Sequence, residues 1–218
     1  MTPYYEHKGI TIYHGDCREV IPALPPPAID LIVSDPPYGI GWKISSIKGG
    51  RAHAGIAGDD DTSVRDAALA LLAGKPGVVF GSFYAPYPRD LRQVLVWHKP
   101  LDSGVIGSVT GYRRDAEPIF LIGPWPQLNV ERSSVLQSGY KSIAHVIKET
   151  GHPHTKPIDL LIRLICAAPG GVICDPFAGS GSTLVAAKSA GRKAIGIELE
   201  EKYCEIAAKR LDQEVMEL

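Results

Sequence analysis

Two short segments of this chain hold the residue types that can do chemistry on a planar amine: Asp35-Pro36-Pro37-Tyr38 and Asp175-Pro176-Phe177-Ala178-Gly179-Ser180-Gly181-Ser182. In the first, the carboxylate and the Pro36 carbonyl can together accept both protons of an exocyclic amine. The prolines fix the backbone and offer no competing N–H. Tyr38 adds an aromatic face on which a base can stack. The competing reading is a Pro-rich turn capped by an aspartate. In the second segment, two glycines let the backbone turn tightly where a strand hands over to a helix, so a ligand can approach main-chain N–H groups. Glu198 follows 17 residues after Gly181 and ends the next apolar run. An acid at that place accepts ribose hydroxyls in nucleotide-binding α/β folds. Together these features predict an adenosine-containing ligand, against the alternative of an ordinary Gly-rich turn with a surface acid. There is no Gly-x-x-x-x-Gly-Lys-Ser/Thr, so an ATP-hydrolysing phosphate loop is not supported.

The elements that must position these residues follow from the apolar pattern. Short apolar runs at Ile10 to His14, Ile29 to Val33, Gly77 to Phe80, Val94 to Trp97, Ile119 to Ile122, Val172 to Cys174 and Ala194 to Ile197 read as strands. Ile29 to Val33 has no polar alternation, as expected for a strand covered on both faces. Helical segments are expected over Cys17 to Leu24, stopped by Pro25 to Pro27, and over Val64 to Ala73. Later ones carry the stripe Ile158, Leu161, Ile162, Ile165, the segment running to Ala190, and the stripe Cys204, Ala207, Leu211, Val215. Strands alternating with helices predict an α/β protein with a largely parallel sheet, both motifs lying at carboxyl ends of strands. Residues 1–218 read as one domain, with 123–151, which lacks periodicity, as a small insertion. The Gly-rich stretch from Trp42 to Gly58 carries Lys43, Lys48, Arg51 and His53 without an acid and reads as a surface loop.

Composition narrows the function classes. Twenty-three Lys and Arg against 24 Asp and Glu give a net charge of −1, so any grip on nucleic acid must come from local basic patches. At 44% apolar and 22% charged residues the chain can bury a core. Its four cysteines form no Cys-x-x-Cys pair, which argues against structural zinc. The longest greasy stretch, Leu160 to Ala168, is interrupted by Arg163, and no signal-peptide pattern is visible. A cytoplasmic setting without membrane attachment is the expectation.

The motifs VSDPPYG and DPFAGSGST, in that order, resemble the β-class S-adenosylmethionine-dependent DNA amino-methyltransferases. The resemblance extends over most of the chain through YHGDC at 13–17, LVWHKP at 95–100, Glu117-Pro118, HPHTKPIDLL at 152–161 and GRKAIGIELEEKYCEIAAKRL at 191–211. It implies a Rossmann-like methyltransferase fold, with helices on both faces of the sheet. Asp175, Phe177, Ala178, Gly179, Ser180, Gly181 and Ser182 would then cradle the methionine part of S-adenosylmethionine. Glu198 would hold the ribose, and Asp16, beside Cys17, would reach the adenine amino group. His154, Thr155 and Lys156 would line the methionine end, although HPHTKP departs from the more usual His-Pro-Thr-x-Lys-Pro. Asp35, Pro36, Pro37 and Tyr38 would form the catalytic site.

The reaction implied is methyl transfer to an exocyclic amine of a base flipped out of duplex DNA, with adenine N6 preferred. N4-cytosine is the nearest alternative, since DPPY is shared with those enzymes, although they more often carry Ser in place of Asp35. RNA or a protein amide as acceptor, and a non-catalytic S-adenosylmethionine- or DNA-binding module, are the further readings. Methylation at cytosine C5 would require a Pro-Cys nucleophile, and no proline precedes any cysteine here. Lys43, Lys48, Arg51, Arg113 and Arg114 are candidate DNA contacts. An insertion at 123–151 is short for a target reader, which points to a short target, loose specificity or a homodimer. A restriction endonuclease is a further partner compatible with this class, and no metal is expected.

Overall fold

The computed structural model describes residues 1–25, 29–41, 57–99, 112, 114–127, 132–138 and 155–213. Its centre is a nine-stranded sheet: β1 (Tyr5–His7), β2 (Ile10–His14), β3 (Leu31–Ser34), β4 (Gly77–Phe80), β5 (Leu91–His98), β6 (Ala116–Ile122), β7 (Val135–Gln137), β8 (Ile173–Asp175) and β9 (Ala194–Glu198). The spatial order is β1-β2-β9-β8-β3-β4-β6-β5-β7. Strands β2, β9, β8, β3 and β4 run parallel, and β6 enters antiparallel between β4 and β5. The helices are α1 (Cys17–Ala23), α2 (Ser63–Leu71), α3 (Ile158–Ala167), α4 (Ser182–Ser189) and α5 (Glu201–Asp212).

Alternation along the central strands splits the core into two layers, because successive side chains leave a strand on opposite faces. Leu31, Val33, Val78 and Phe80 pack with Leu160, Leu161, Ile165, Leu184, Ala187 and Cys204 from α3, α4 and α5. Ile32 and Val79 pack on the other face with Cys17, Val20, Ile21 and Ala68 from α1 and α2. Each Leu, Ile, Val or Phe among them contributes roughly 1.5–3 kcal/mol by leaving water, and this is why the unbroken apolar runs become strands covered on both sides. The outermost strand β1 pairs antiparallel with β2, and the Tyr5 hydroxyl donates to Asp212 at the end of α5, 2.9 Å away.

Among the described residues the expected strands and helices are present, with boundaries moved by a few residues; Val215 and residues 42–56 of the expected loop lie outside them. Two strands were not anticipated: β1 and β7, three residues each and at the sheet edges. β7 lies within 123–151, so that segment contributes a strand alongside β5. Among the described residues no helix is long and apolar enough to cross a membrane, and no group of His, Cys, Asp or Glu could hold a metal ion.

Candidate active site

Because β2, β9, β8, β3 and β4 are parallel, their carboxyl ends deliver Asp16, Glu198, Asp175, Asp35 and Gly81 to one edge of the sheet. At the centre of that edge β8 and β3 are neighbours. The Ser34 hydroxyl donates to Asp175 Oδ1 at 2.7 Å, and the Phe177 N–H donates to the same oxygen at 3.1 Å. Burial pushes the Asp175 carboxyl up to about 6, against hydrogen bonds from Ser34, Thr183 and Phe177 that favour its charged form. A buried carboxylate so placed is a seat for a cation.

The turn from β8 into α4 carries positive φ at Gly179 and Gly181, and a Cβ on Gly181 would stand 2.7 Å from that of Ala207. Only glycine permits this close approach of turn and helix. Glu198 fastens the turn: Oε2 accepts from Gly179 N–H at 2.8 Å, and Oε1 accepts from Glu200 N–H at 2.8 Å. Burial raises its pKa, opposed by these main-chain donors. Arg210 of α5 holds the Ser180 carbonyl at 2.6 Å and reaches the Ser182 hydroxyl at 3.2 Å, so these serines act by shaping the turn. Ala178 is buried, its N–H donating to Ile197 O, and Phe177 packs on the α1–α2 side of the core.

Asp16 caps α1, its Oδ1 accepting from Arg18 N–H at 2.9 Å, and it pairs with the Arg18 guanidinium, which lowers its pKa. A carboxylate has about four acceptor sites, so Asp16 can still take an amine. Cys17 is buried in the core, with its thiol pushed up to about 11 by burial, so only its main chain can serve a ligand. Carboxylates at Asp16, Asp175 and Glu198, with the glycines Gly179 and Gly181 in the turn between them, fit S-adenosylmethionine: two cationic centres, a ribose diol and an adenine amine.

The catalytic candidates meet in a second cluster. Pro36 is buried, and Gly39 turns the chain after Tyr38 at φ 74°, its N–H donating to Asp59 at 2.8 Å. The Tyr38 hydroxyl lies 2.7 Å from Asp35 Oδ1 and 2.6 Å from Glu117 Oε1. Lys156 Nζ donates to Asp35 Oδ2 at 2.8 Å and to Tyr38 Oη at 2.9 Å, and stands 3.1 Å from Glu117 Oε1. Lys99 Nζ pairs with Glu117 Oε2 at 2.7 Å. Lys156 also sits 5.1 Å from the centre of the Phe80 ring and 5.4 Å from that of Tyr38, within cation–π range.

Burial alone would raise the Glu117 carboxyl, but Lys156 and Lys99 reverse this and hold it at about 2. Burial works against the charge of Lys156, yet Asp35 and Glu117 raise its pKa above the ordinary value. Burial, then the neighbouring carboxylates, push the Tyr38 phenol well above its usual range.

The structure thus brings Asp35, Pro36, Pro37 and Tyr38 to one edge with Asp16, Asp175, the Gly179–Gly181 turn and Glu198. Lys156, expected at the methionine end, has its ammonium on the carboxylate of the catalytic candidate Asp35. Thr155, its neighbour, is buried. Glu117 and Lys99 enter the sequence reading through the family resemblance alone, and the structure gives them a place in the cluster. A charged residue within the apolar strand β6 was the available signal, since a buried charge needs a partner. Arg114 lies over the Tyr84 ring at 4.9 Å. Lys43, Lys48, Arg51, Arg113 and His154 lie outside the described residues.

Comparison with known proteins places this geometry in a family. The N6_N4_Mtase family model, described as DNA methylase, matches residues 89–209. The Escherichia coli (strain K12) protein YubD, named as a methylase, is 32% identical over 211 residues, spanning 90% of this chain and 88% of the relative. The DNA adenine methyltransferase YhdJ of the same organism is 26% identical over 249 residues, spanning 95% and 84%. In fold, the chain is similar to the crystal structure of the M1.HpyAVI–SAM complex, with a TM-score of 0.61 at 24% identity over 92% of this chain and 99% of that one. With the family model spanning more than half of its length, and a relative above 30% identity covering nine-tenths of it, the chain belongs to the N6/N4 DNA methylase family.

Proposed function

We propose that this DNA methyltransferase modifies the N6 amine of adenine, flipped from duplex DNA into the edge between β3 and β8. The observation that carries this reading is Asp35 itself. It is an aspartate where N4-cytosine enzymes more often have serine, its side chain is 24% exposed, and it is held from behind by Lys156 and Tyr38. S-adenosylmethionine supplies the methyl group when bound.

The amine lone pair is delocalised into the ring, so the site must favour a pyramidal nitrogen aimed at the methyl donor. Asp35 and the Pro36 carbonyl would do this by accepting its two protons. Lys156 fixes the carboxylate so that little reorganisation is needed at the moment of transfer. Holding donor and acceptor at about 3–3.5 Å in line accounts for several kcal/mol of the barrier. Flipping costs a few kcal/mol, which Tyr38, stacked on the base, would partly offset. Lys43, Lys48, Arg51, Arg113 and Arg114 are assigned to phosphate contacts around this edge. Residues 123–151 are read as the target-recognition insertion, of a size that suits a short site or a dimer.

The test is transfer of labelled methyl from S-adenosylmethionine into mixed-sequence duplex DNA, followed by digestion and mass spectrometry of the nucleosides. N6-methyladenine is the expected product, abolished in Asp35→Ala with cofactor binding retained. N4-methylcytosine would correct the base, and label in RNA alone would overturn the choice of DNA.

A further inference from the structure

The hydroxyl of Tyr38 has one proton to give and two carboxylate oxygens within hydrogen-bond distance, at 2.7 Å in Asp35 and 2.6 Å in Glu117. Its lone pairs already receive Lys156 at 2.9 Å. A phenol can donate to only one of two acceptors at a time. The other short oxygen–oxygen contact is favourable only when that carboxyl brings its own proton. Glu117 is not the carboxyl to do so: the ammonium groups of Lys156 and Lys99 lie 3.1 and 2.7 Å from its two oxygens and keep it ionised. Asp35 shares only Lys156 and reaches solvent with 24% of its side chain.

Methyl transfer to a neutral amine releases one proton: the nitrogen–carbon bond forms, the carbon–sulfur bond breaks, and an N–H bond must then break. We infer that Glu117 is a positioning residue that acts through Tyr38, accepting the hydrogen bond of the phenol so that Asp35 can hold the proton released by the amine. Before transfer the Tyr38 hydroxyl donates to the Asp35 carboxylate. As the amine proton arrives on Asp35 Oδ1, the hydroxyl turns to Glu117, and the new O–H of Asp35 donates into the vacated phenol lone pair. The phenol rotates without losing its proton, no group changes oxidation state, and the proton leaves from Asp35 to solvent. This inference rests on the reading of Asp35 as the group that accepts from the amine.

The experiment compares single-turnover transfer to adenine-containing duplex DNA by wild type, Glu117→Gln, Tyr38→Phe and the double variant, with S-adenosylmethionine affinity measured separately by calorimetry. Glu117→Gln is expected to slow transfer about 100-fold, the lower end of the range for losing assistance to proton transfer. Cofactor affinity should stay within about twofold, and the double variant should be no slower than Tyr38→Phe alone, because Glu117 acts only through the phenol. A rate within about twofold of wild type would overturn the inference, as would losses that multiply in the double variant. Loss of cofactor affinity in Glu117→Gln would also overturn it, placing Glu117 in the cofactor site or the folding core instead. A wild-type protein that methylates no DNA would remove the functional reading first, and this inference with it.

Discussion

Replacing Asp175 by asparagine tests whether the cofactor edge stores a cost that only a cation repays. The folded-state pKa of Asp175 is about 6 against an ordinary 3.8, so the fold prefers its neutral form. A raised carboxylate contributes its full stability below its unfolded pKa and loses it as pH climbs through the folded value. A shift of about two units, at 1.36 kcal/mol each, means about 3 kcal/mol lost between roughly pH 4 and pH 6 and still missing at pH 8. Asparagine keeps an oxygen for the Ser34 hydroxyl and the Phe177 N–H but never carries the charge. Urea denaturation without cofactor should therefore find Asp175→Asn close to wild type near pH 3 and more stable by up to about 3 kcal/mol at pH 8. Other carboxylates titrate in both proteins and cancel in the difference. Saturating S-adenosylmethionine should narrow the gap at pH 8, because its cationic end pairs with the wild-type charge and not with the amide. A stability difference that does not change with pH would refute the reasoning.

Three further outcomes follow from the geometry. Lys156→Met leaves the Asp35 and Glu117 carboxylates facing one phenol, and should cost about 3 kcal/mol in chemical denaturation at pH 7, the range for removing one partner of a buried ion pair; an unchanged midpoint would show that Lys99 and solvent suffice. Glu198→Ala should weaken S-adenosylmethionine binding about 10- to 100-fold by calorimetry, since hydrogen bonds to a charged group are worth roughly 1.5–3 kcal/mol, and undiminished affinity would rule out the ribose contact. Gly181→Ala forces a left-handed φ of 82° on a residue whose Cβ stands 2.7 Å from that of Ala207, and thermal unfolding should register a loss of about 2 kcal/mol.

How much of this was legible in the sequence depended on how locally each feature is encoded. β3, β4 and β9 lie in unbroken apolar runs because both of their faces are covered, and they announce themselves. β1 and β7 have three residues each and sit at the rim, where one neighbour and a little burial suffice, so no periodicity marks them. The antiparallel entry of β6 between β4 and β5 is a matter of register with distant strands, invisible to a local pattern. In the site, glycines and prolines with rigid backbone demands were readable one by one. The partnership of Lys156 with Asp35 spans 121 positions and that of Glu117 with Tyr38 spans 79. Such pairs exist only once the topology has brought α3 and β6 to the same edge.

The adjacency of β3 and β8, joined by the Ser34–Asp175 hydrogen bond across 141 residues, has a consequence for chain connectivity. On the proposed reading, methyl donor and acceptor amine would be set against one another by neighbouring strands, and nothing in that contact depends on which strand is synthesised first. The Tyr5–Asp212 hydrogen bond holds β1 against the end of α5, so a short splice between these two elements would close the residues that join them into a ring. Cutting such a ring at the turn between α2 and β4, on the sheet edge away from the site, would put DPFAGSGST ahead of DPPY along the chain while leaving every contact of the active edge in place. Linear motif order is thus a property of the covalent thread alone, free to change by permutation, whereas strand order in the sheet is what the chemistry requires.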